Sequence, residues 1–193
     1  MNSKELIEYN CKYNSPYLLC NLPKQIQKEI NVWVTECKKI KNHPLAELKS
    51  HENVGYIYAD GKKHNSYQCS IPSQLIENSF WLAYTLRVCA SYWGGIHRQY
   101  KIRKWDGHFD GYDIWTNFAN KGSDNPVHNH SGNISGVIYV QNFGHPTIFP
   151  DYNNEYIGKN GTMILFPSNV FHYVNPQQVN QERITIAFNI IKS

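Results

Sequence analysis

Beyond Gly95 the chain breaks into short β-branched or aromatic runs: Tyr112 to Phe118, Ile134 to Val140, Thr147 to Phe149, Thr162 to Phe166, Phe171 to Val174 and Ile184 to Ile190. Each is too short for an independent helix and rich in residues that suit a pleated, half-buried backbone. Segments of Gly, Asn, Asp and Pro separate them, at Asn120 to Pro126, Asn142 to Pro146, Asn153 to Gly161 and Asn175 to Gln181. Strands this short and this regularly interrupted cannot each carry a core, so they must close on one another as a sandwich or barrel.

The earlier residues read differently. Apolar side chains at Leu22, Ile26, Ile30, Trp33, Cys37 and Ile40 recur in steps of four and three, which predicts an amphipathic helix with Pro23 in its first turn and Pro44 beyond its end. A second helical pattern runs from Pro72 through Leu75, Phe80, Ala83, Leu86, Val88 and Ala90 and stops at Gly94-Gly95. Between them, the run Val54 to Tyr58 followed by Asp60-Gly61 fits a hairpin or loop. The apolar stripes of the helices need cover, and the outer face of a sheet supplies it. The expectation is an α+β chain forming one domain over residues 1–193, with 1–100 mainly helical support and 101–193 the strand-rich core.

Charge and cysteine usage narrow the partners. The net charge is only +4, and the one dense basic stretch, His97 to Lys104, reads equally well as the solvated face of an edge strand or loop, so nucleic acid is not the expected partner. Five scattered cysteines with no C-x-x-C pair read as reduced thiols. The first thirty residues lack a signal-peptide apolar run, and no stretch is long enough to span a bilayer, so a soluble cytoplasmic protein is expected. Asp106 to Gly111 lacks the further oxygen ligands of a calcium loop and reads as a turn.

His128 and His130 follow the turn-forming Asp124-Asn125-Pro126. On an extended segment, residues i and i+2 project to one face, so two imidazoles can converge on one ion. His172 lies on or beside a later strand of the same sheet. Three protein ligands leave coordination positions open, as a catalytic metal requires. His-x-His pairs also occur in ordinary surface loops, so spacing by itself leaves metal binding open. Arg183 and Thr185 again share a face, and a guanidinium beside a hydroxyl suits a carboxylate. Taken alone, Arg183 reads first as an exposed edge-strand residue paired with Glu182, and it gains interest because Ile184, Ile186 and Phe188 argue for a strand with one buried face.

The ordered set Ile114-Trp115-Thr116-Asn117, His128-Asn129-His130, Ser135 to Val140, Phe166-Pro167-Ser168 with His172, and Glu182-Arg183-Ile184-Thr185 leading to Phe188-Asn189 resembles the 2-oxoglutarate/Fe(II)-dependent oxygenase superfamily, most closely its bacterial and phage branch with an H-x-H motif. The resemblance covers roughly residues 112 to 190. It implies a double-stranded β-helix, a cupin-like jelly roll of two facing sheets, with Fe(II) and 2-oxoglutarate as cofactors and dioxygen and an unidentified small-molecule or protein substrate as partners. It makes His128 and His172 metal ligands, Arg183 the partner of the distal 2-oxoglutarate carboxylate, Thr185 its companion hydroxyl, Tyr139 a further hydrogen-bond donor and Asn117 a weaker candidate.

One departure concerns the metal. Most of the superfamily carries Asp or Glu where this chain has His130, so either His130 is the third ligand, a carboxylate such as Asp151 reaches in, or water completes the set. The i, i+2 geometry favours His130. Two alternatives remain beside hydroxylation: a three-His cupin-like dioxygenase without 2-oxoglutarate, and a non-catalytic metal-binding module of the same fold.

Overall fold

A computed structural model describes residues 11–42, 55–59, 62–104 and 111–193. Pro44, the Asp60-Gly61 turn and the segment 105–110 lie outside the described residues.

The described residues begin with a hairpin, β1 (Cys11–Asn14) and β2 (Tyr17–Asn21), which the sequence reading does not anticipate. Helix α1 (Lys24–Lys41) follows and buries Ile26, Ile30, Trp33 and Cys37 of the expected stripe, together with Val34, while Ile40 is half-buried. Lys38, Lys39 and Lys41 occupy its last turn, where the helix dipole favours cations. β3 (Gly55–Ala59) and β4 (Lys62–Ser70) form an antiparallel hairpin.

The second helical pattern is two helices, not one: α2 (Ser73–Ile76) and α3 (Phe80–Trp93). The break has a physical cause at Ser79, whose Oγ accepts from the Leu82 amide at 3.0 Å and caps α3. Glu29 of α1 completes the cap, accepting from the Phe80 and Trp81 amides at 2.9 and 3.0 Å. This start rotates the buried face to Trp81, Tyr84, Thr85, Val88 and Cys89, while Phe80 and Ala83, expected inside, are exposed. Trp33 and Trp81 meet edge to face at 5.4 Å, joining the two long helices. α3 ends at Gly94, where φ is +76°.

The remaining strands are β5 (Tyr100–Ile102), β6 (Ile114–Ala119), β7 (Asn125–His128), β8 (Ile134–Gln141), β9 (Pro146–Phe149), β10 (Asn154–Ile157), β11 (Thr162–Pro167), β12 (His172–Val174) and β13 (Arg183–Lys192). They make a nine-stranded sheet in the order β1-β2-β11-β8-β13-β6-β4-β3, with β5 also on β13, and a four-stranded sheet in the order β10-β9-β12-β7. The first hundred residues therefore supply strands as well as helices. β7 runs through Asn125-Pro126, which the sequence suggests as a turn; it is an edge strand, where a missing amide donor is tolerated.

β13 organises the interior. Ile184, Ile186, Phe188 and Ile190 face the helices, with Phe188 edge-on to Trp81 at 4.8 Å. Arg183, Thr185, Ala187 and Asn189 alternate with them and line the cavity between the sheets. A second apolar cluster of Tyr17, Tyr139, Phe149, Tyr156, Ile164, Phe166 and Val170 fills the space between the sheets beside that cavity. Among the described residues, no helix is long and apolar enough to cross a membrane.

Candidate metal centre and its cavity

His128 ends β7 and His172 begins β12, and the two are directly paired across the antiparallel ladder. Their rings lie 4.3 Å apart. His130 sits past the end of β7, so simple strand alternation does not deliver it. Instead its amide donates to the Ser168 carbonyl at 2.9 Å, which turns the chain back and leaves its ring 4.9 Å from His128 and 5.2 Å from His172. One ligand atom from each of the three lies within 4.8 Å of the others. Among the described residues no carboxylate joins this cluster. Asp151, the acidic alternative, lies exposed in a 3-10 turn, Pro150–Tyr152.

The tautomers suit a metal. His128 Nδ1 lies 2.7 Å from the Pro126 carbonyl and His172 Nδ1 lies 3.1 Å from that of Val170. A carbonyl only accepts, so Nδ1 carries the proton and Nε2 keeps its lone pair for an ion. Burial depresses the basicity of all three imidazoles. His130, further opposed by His128 and Arg103, is pushed down to about 4. His172, opposed by His128 and His130, falls to about 3, and His128 is lowered by burial alone against its carbonyl contact. Neutral rings at ordinary pH are the form that binds metal.

This has a consequence for the metal-free protein. The unfolded histidines take up protons below about 6.5 while the folded ones do not, so the folded state has its full stability above that pH and loses it as pH falls towards the folded values. Urea unfolding of chelator-treated protein is expected to weaken between about pH 6.5 and 4, by about 1 kcal/mol per pH unit for each of His130 and His172. His130→Asn should flatten the curve; an unchanged slope would contradict the assignment.

Arg183 begins β13 and is only 7% exposed. It is not the edge residue paired with Glu182 that its isolated sequence allows: Glu182 pairs with Lys41, and β13 is flanked by β8 and β6. Its Nε donates to Asn142 Oδ1 at 2.9 Å, and its guanidinium lies 5.8 Å from the Tyr139 ring. Burial lowers its basicity, and among the described residues no acidic group offsets its charge.

Arg183, Thr185, Asn117 and the three histidines all line one cavity of about 630 Å³. Thr185 is buried and accepts from Asn117 Nδ2 at 3.5 Å, a long contact. Asn117 Oδ1 in turn accepts from Gln68 Nε2 at 2.9 Å and Trp115 Nε1 at 3.1 Å. Tyr139 is fully buried, and its hydroxyl is engaged by Thr147 at 2.6 Å; Thr147 is the one of the two that lines the cavity.

Gly158 packs flat on Tyr139. A Cβ there would come within 1.9 Å of the ring, which is fixed by Thr147. Gly158→Ala is expected to cost roughly 1–3 kcal/mol in chemical denaturation, whereas Gly111→Ala, whose Cβ meets nothing within 4 Å among the described residues, should cost little.

Sequence reasoning misses the polar wall on the other side of the cavity. Ser135 Oγ lies 2.6 Å from Asn189 Oδ1 and 2.9 Å from Ser168 Oγ, Asn189 Nδ2 donates to Asp113 Oδ2 at 2.8 Å, and Arg103 pairs with that carboxylate at 3.2 Å. The available signal is a polar residue at a site-facing position near the end of an otherwise apolar strand, Ser135 on β8 and Asn189 on β13.

A protein-family model described as "Putative 2OG-Fe(II) oxygenase" matches residues 151–189, which include His172, Arg183 and Thr185. No curated protein matched the chain significantly by sequence. Among solved structures, an oxidoreductase of the 2OG-Fe(II) oxygenase family from Burkholderia pseudomallei superimposes with a TM-score of 0.60 at 14% identity, covering 99% of this chain and 89% of that one. The viral collagen prolyl hydroxylase from Paramecium Bursaria Chlorella virus-1 gives 0.60 at 14% identity over 93% and 97%. The chain has the 2-oxoglutarate/Fe(II) oxygenase fold. A Pseudomonas putida prolyl-4-hydroxylase matches this oxygenase fold end to end, at 0.58 and 13% identity over 100% of both chains.

Proposed function

We propose that the chain is an Fe(II)- and 2-oxoglutarate-dependent oxygenase that hydroxylates a substrate, with dioxygen as co-substrate. The observation that carries this reading is one cavity shared by three convergent imidazoles and a buried arginine with no acidic partner among the described residues. His128, His130 and His172 would hold the iron through nitrogen, and Arg183 with Thr185 would hold the distal carboxylate of the oxo acid. Asn117 ties Thr185 to β6, and Tyr139 orders Thr147 at the cavity wall.

Bound together, the two cofactors would supply dioxygen activation, with one oxygen atom leaving in succinate beside carbon dioxide and the other entering the substrate. The chain's own residues bind and orient. The backbone carbonyls of Pro126 and Val170 fix two ligand rings, and Phe166 at 4.8 Å shields His172 from solvent. Beyond the metal ligands, these residues position the cofactor and the substrate and move no proton.

The test is turnover of 2-oxoglutarate by iron-loaded protein under air. Iron-dependent succinate release is expected, and is expected to vanish in Arg183→Ala. The donor set of three imidazoles without a carboxylate favours a second reading, a cupin-like dioxygenase that uses no oxo acid and binds a substrate carboxylate at Arg183. Oxygen uptake without any 2-oxoglutarate consumption would replace the first reading by the second.

A further inference from the structure

Asn142 lies in the connection between β8 and β9, forty-one residues from Arg183 in sequence, and its side chain is fully employed. Nδ2 donates to two carbonyls, that of His145 at 3.1 Å and that of Gly158 at 2.8 Å. Its own amide donates to Asn160 Oδ1 at 2.9 Å. With Nδ2 held between two acceptors, the amide cannot flip, and Oδ1 must face Arg183 Nε, which it meets at 2.9 Å. One residue thus ties the β8–β9 turn, the β10–β11 loop and the first residue of β13 into one support.

The chemistry of that support matters more than its rigidity. A buried guanidinium is ordinarily paired with a carboxylate, which cancels its charge. Asn142 satisfies one donor with a neutral oxygen and cancels nothing. It also occupies Nε, so of the two faces on which a guanidinium can fork onto a carboxylate, only the terminal one with both Nη groups remains.

We propose that Asn142 is a positioning and selectivity residue: by holding Arg183 through a neutral acceptor, it reserves the arginine's full charge and terminal fork for the far carboxylate of a dicarboxylic oxo acid. The inference rests on the reading of Arg183 as the oxo-acid anchor. An aspartate at this position would satisfy Arg183 internally, and the site would lose its preference for the dicarboxylate over a 2-oxo acid with one carboxylate.

The experiment is titration of Fe(II)-loaded protein under argon with 2-oxoglutarate and, separately, with pyruvate, which has the same oxo-acid head and no distal carboxylate. Wild type is expected to prefer 2-oxoglutarate. Asn142→Ala should reduce that preference about tenfold and Asn142→Asp on the order of a hundredfold, as expected for loosening and then neutralising a charge-assisted pair, with pyruvate affinity unchanged. Unchanged pyruvate affinity also shows that each variant is folded and metal-loaded. If wild type and Arg183→Ala bind both acids alike, the anchor reading fails and this inference with it. If wild type discriminates, Arg183→Ala does not, and both Asn142 variants still do, the anchor stands and the role of Asn142 is overturned. Equal weakening towards both acids would likewise overturn it, as the mark of a purely structural residue.

Discussion

Alanine at His172 is expected to strip metal from the protein. The residue is 4% exposed, pairs across the ladder with His128, and its ring lies 4.3 and 5.2 Å from the other two imidazoles. Its removal leaves two ligands on β7 and the turn after it, with Phe166 and Phe149 closing the gap and no other donor among the described residues of the cluster. Losing an outer-shell partner already costs about 10–100-fold in affinity, so losing a ligand should cost more than roughly a hundredfold. Metal content after dialysis measures this. His130→Ala provides the comparison: an equal loss makes His130 a full ligand, whereas retention of metal would assign the third position elsewhere.

Arg183→Ala is the second large effect. A buried charge pair broken from one side typically costs 2–5 kcal/mol, which here should appear as a loss of roughly 30- to several thousandfold in 2-oxoglutarate affinity with metal content intact. Lysine should rescue poorly, since an ammonium lacks the planar fork. Stability should move the other way. The arginine is buried without a compensating acid among the described residues, so Arg183→Met is expected to leave the ligand-free protein at least as resistant to urea as wild type. A variant that binds 2-oxoglutarate normally would remove the anchor assignment, and one that fails to fold would show that the guanidinium is structural.

Much of this site is legible in the sequence because its parts follow local rules. The strands holding Tyr139, His172 and Arg183 announce themselves by β-branched runs between turn residues, and α1 by its apolar period. His128 and His172 are singled out by the ordered motifs that resemble the oxygenase superfamily. What escapes is set by contacts distant in sequence. The start of α3 depends on Glu29, fifty-one residues earlier, reaching the Phe80 amide, and that cap turns the helix so that Phe80 faces solvent. The β1–β2 hairpin has a mixed polar pattern and becomes a strand pair because β11 offers it an edge. β7 hides behind Pro126, a residue that argues against a strand except at the margin of a sheet. Asn142 reads as one more loop asparagine until Arg183 is brought beside it.

The two-sided character of β13 limits how such a cavity can change over time. Single substitutions at positions 183, 185, 187 and 189 alter the cavity while leaving the helix-packed face untouched. Insertion or loss of one residue does the opposite, turning the arginine and asparagine into an apolar core and isoleucines into a polar cleft. Descendants of this chain are therefore free to retune the site by exchange of letters, whereas a change of length within β13 flips its faces unless a bulge like the one between β8 and β13 absorbs it.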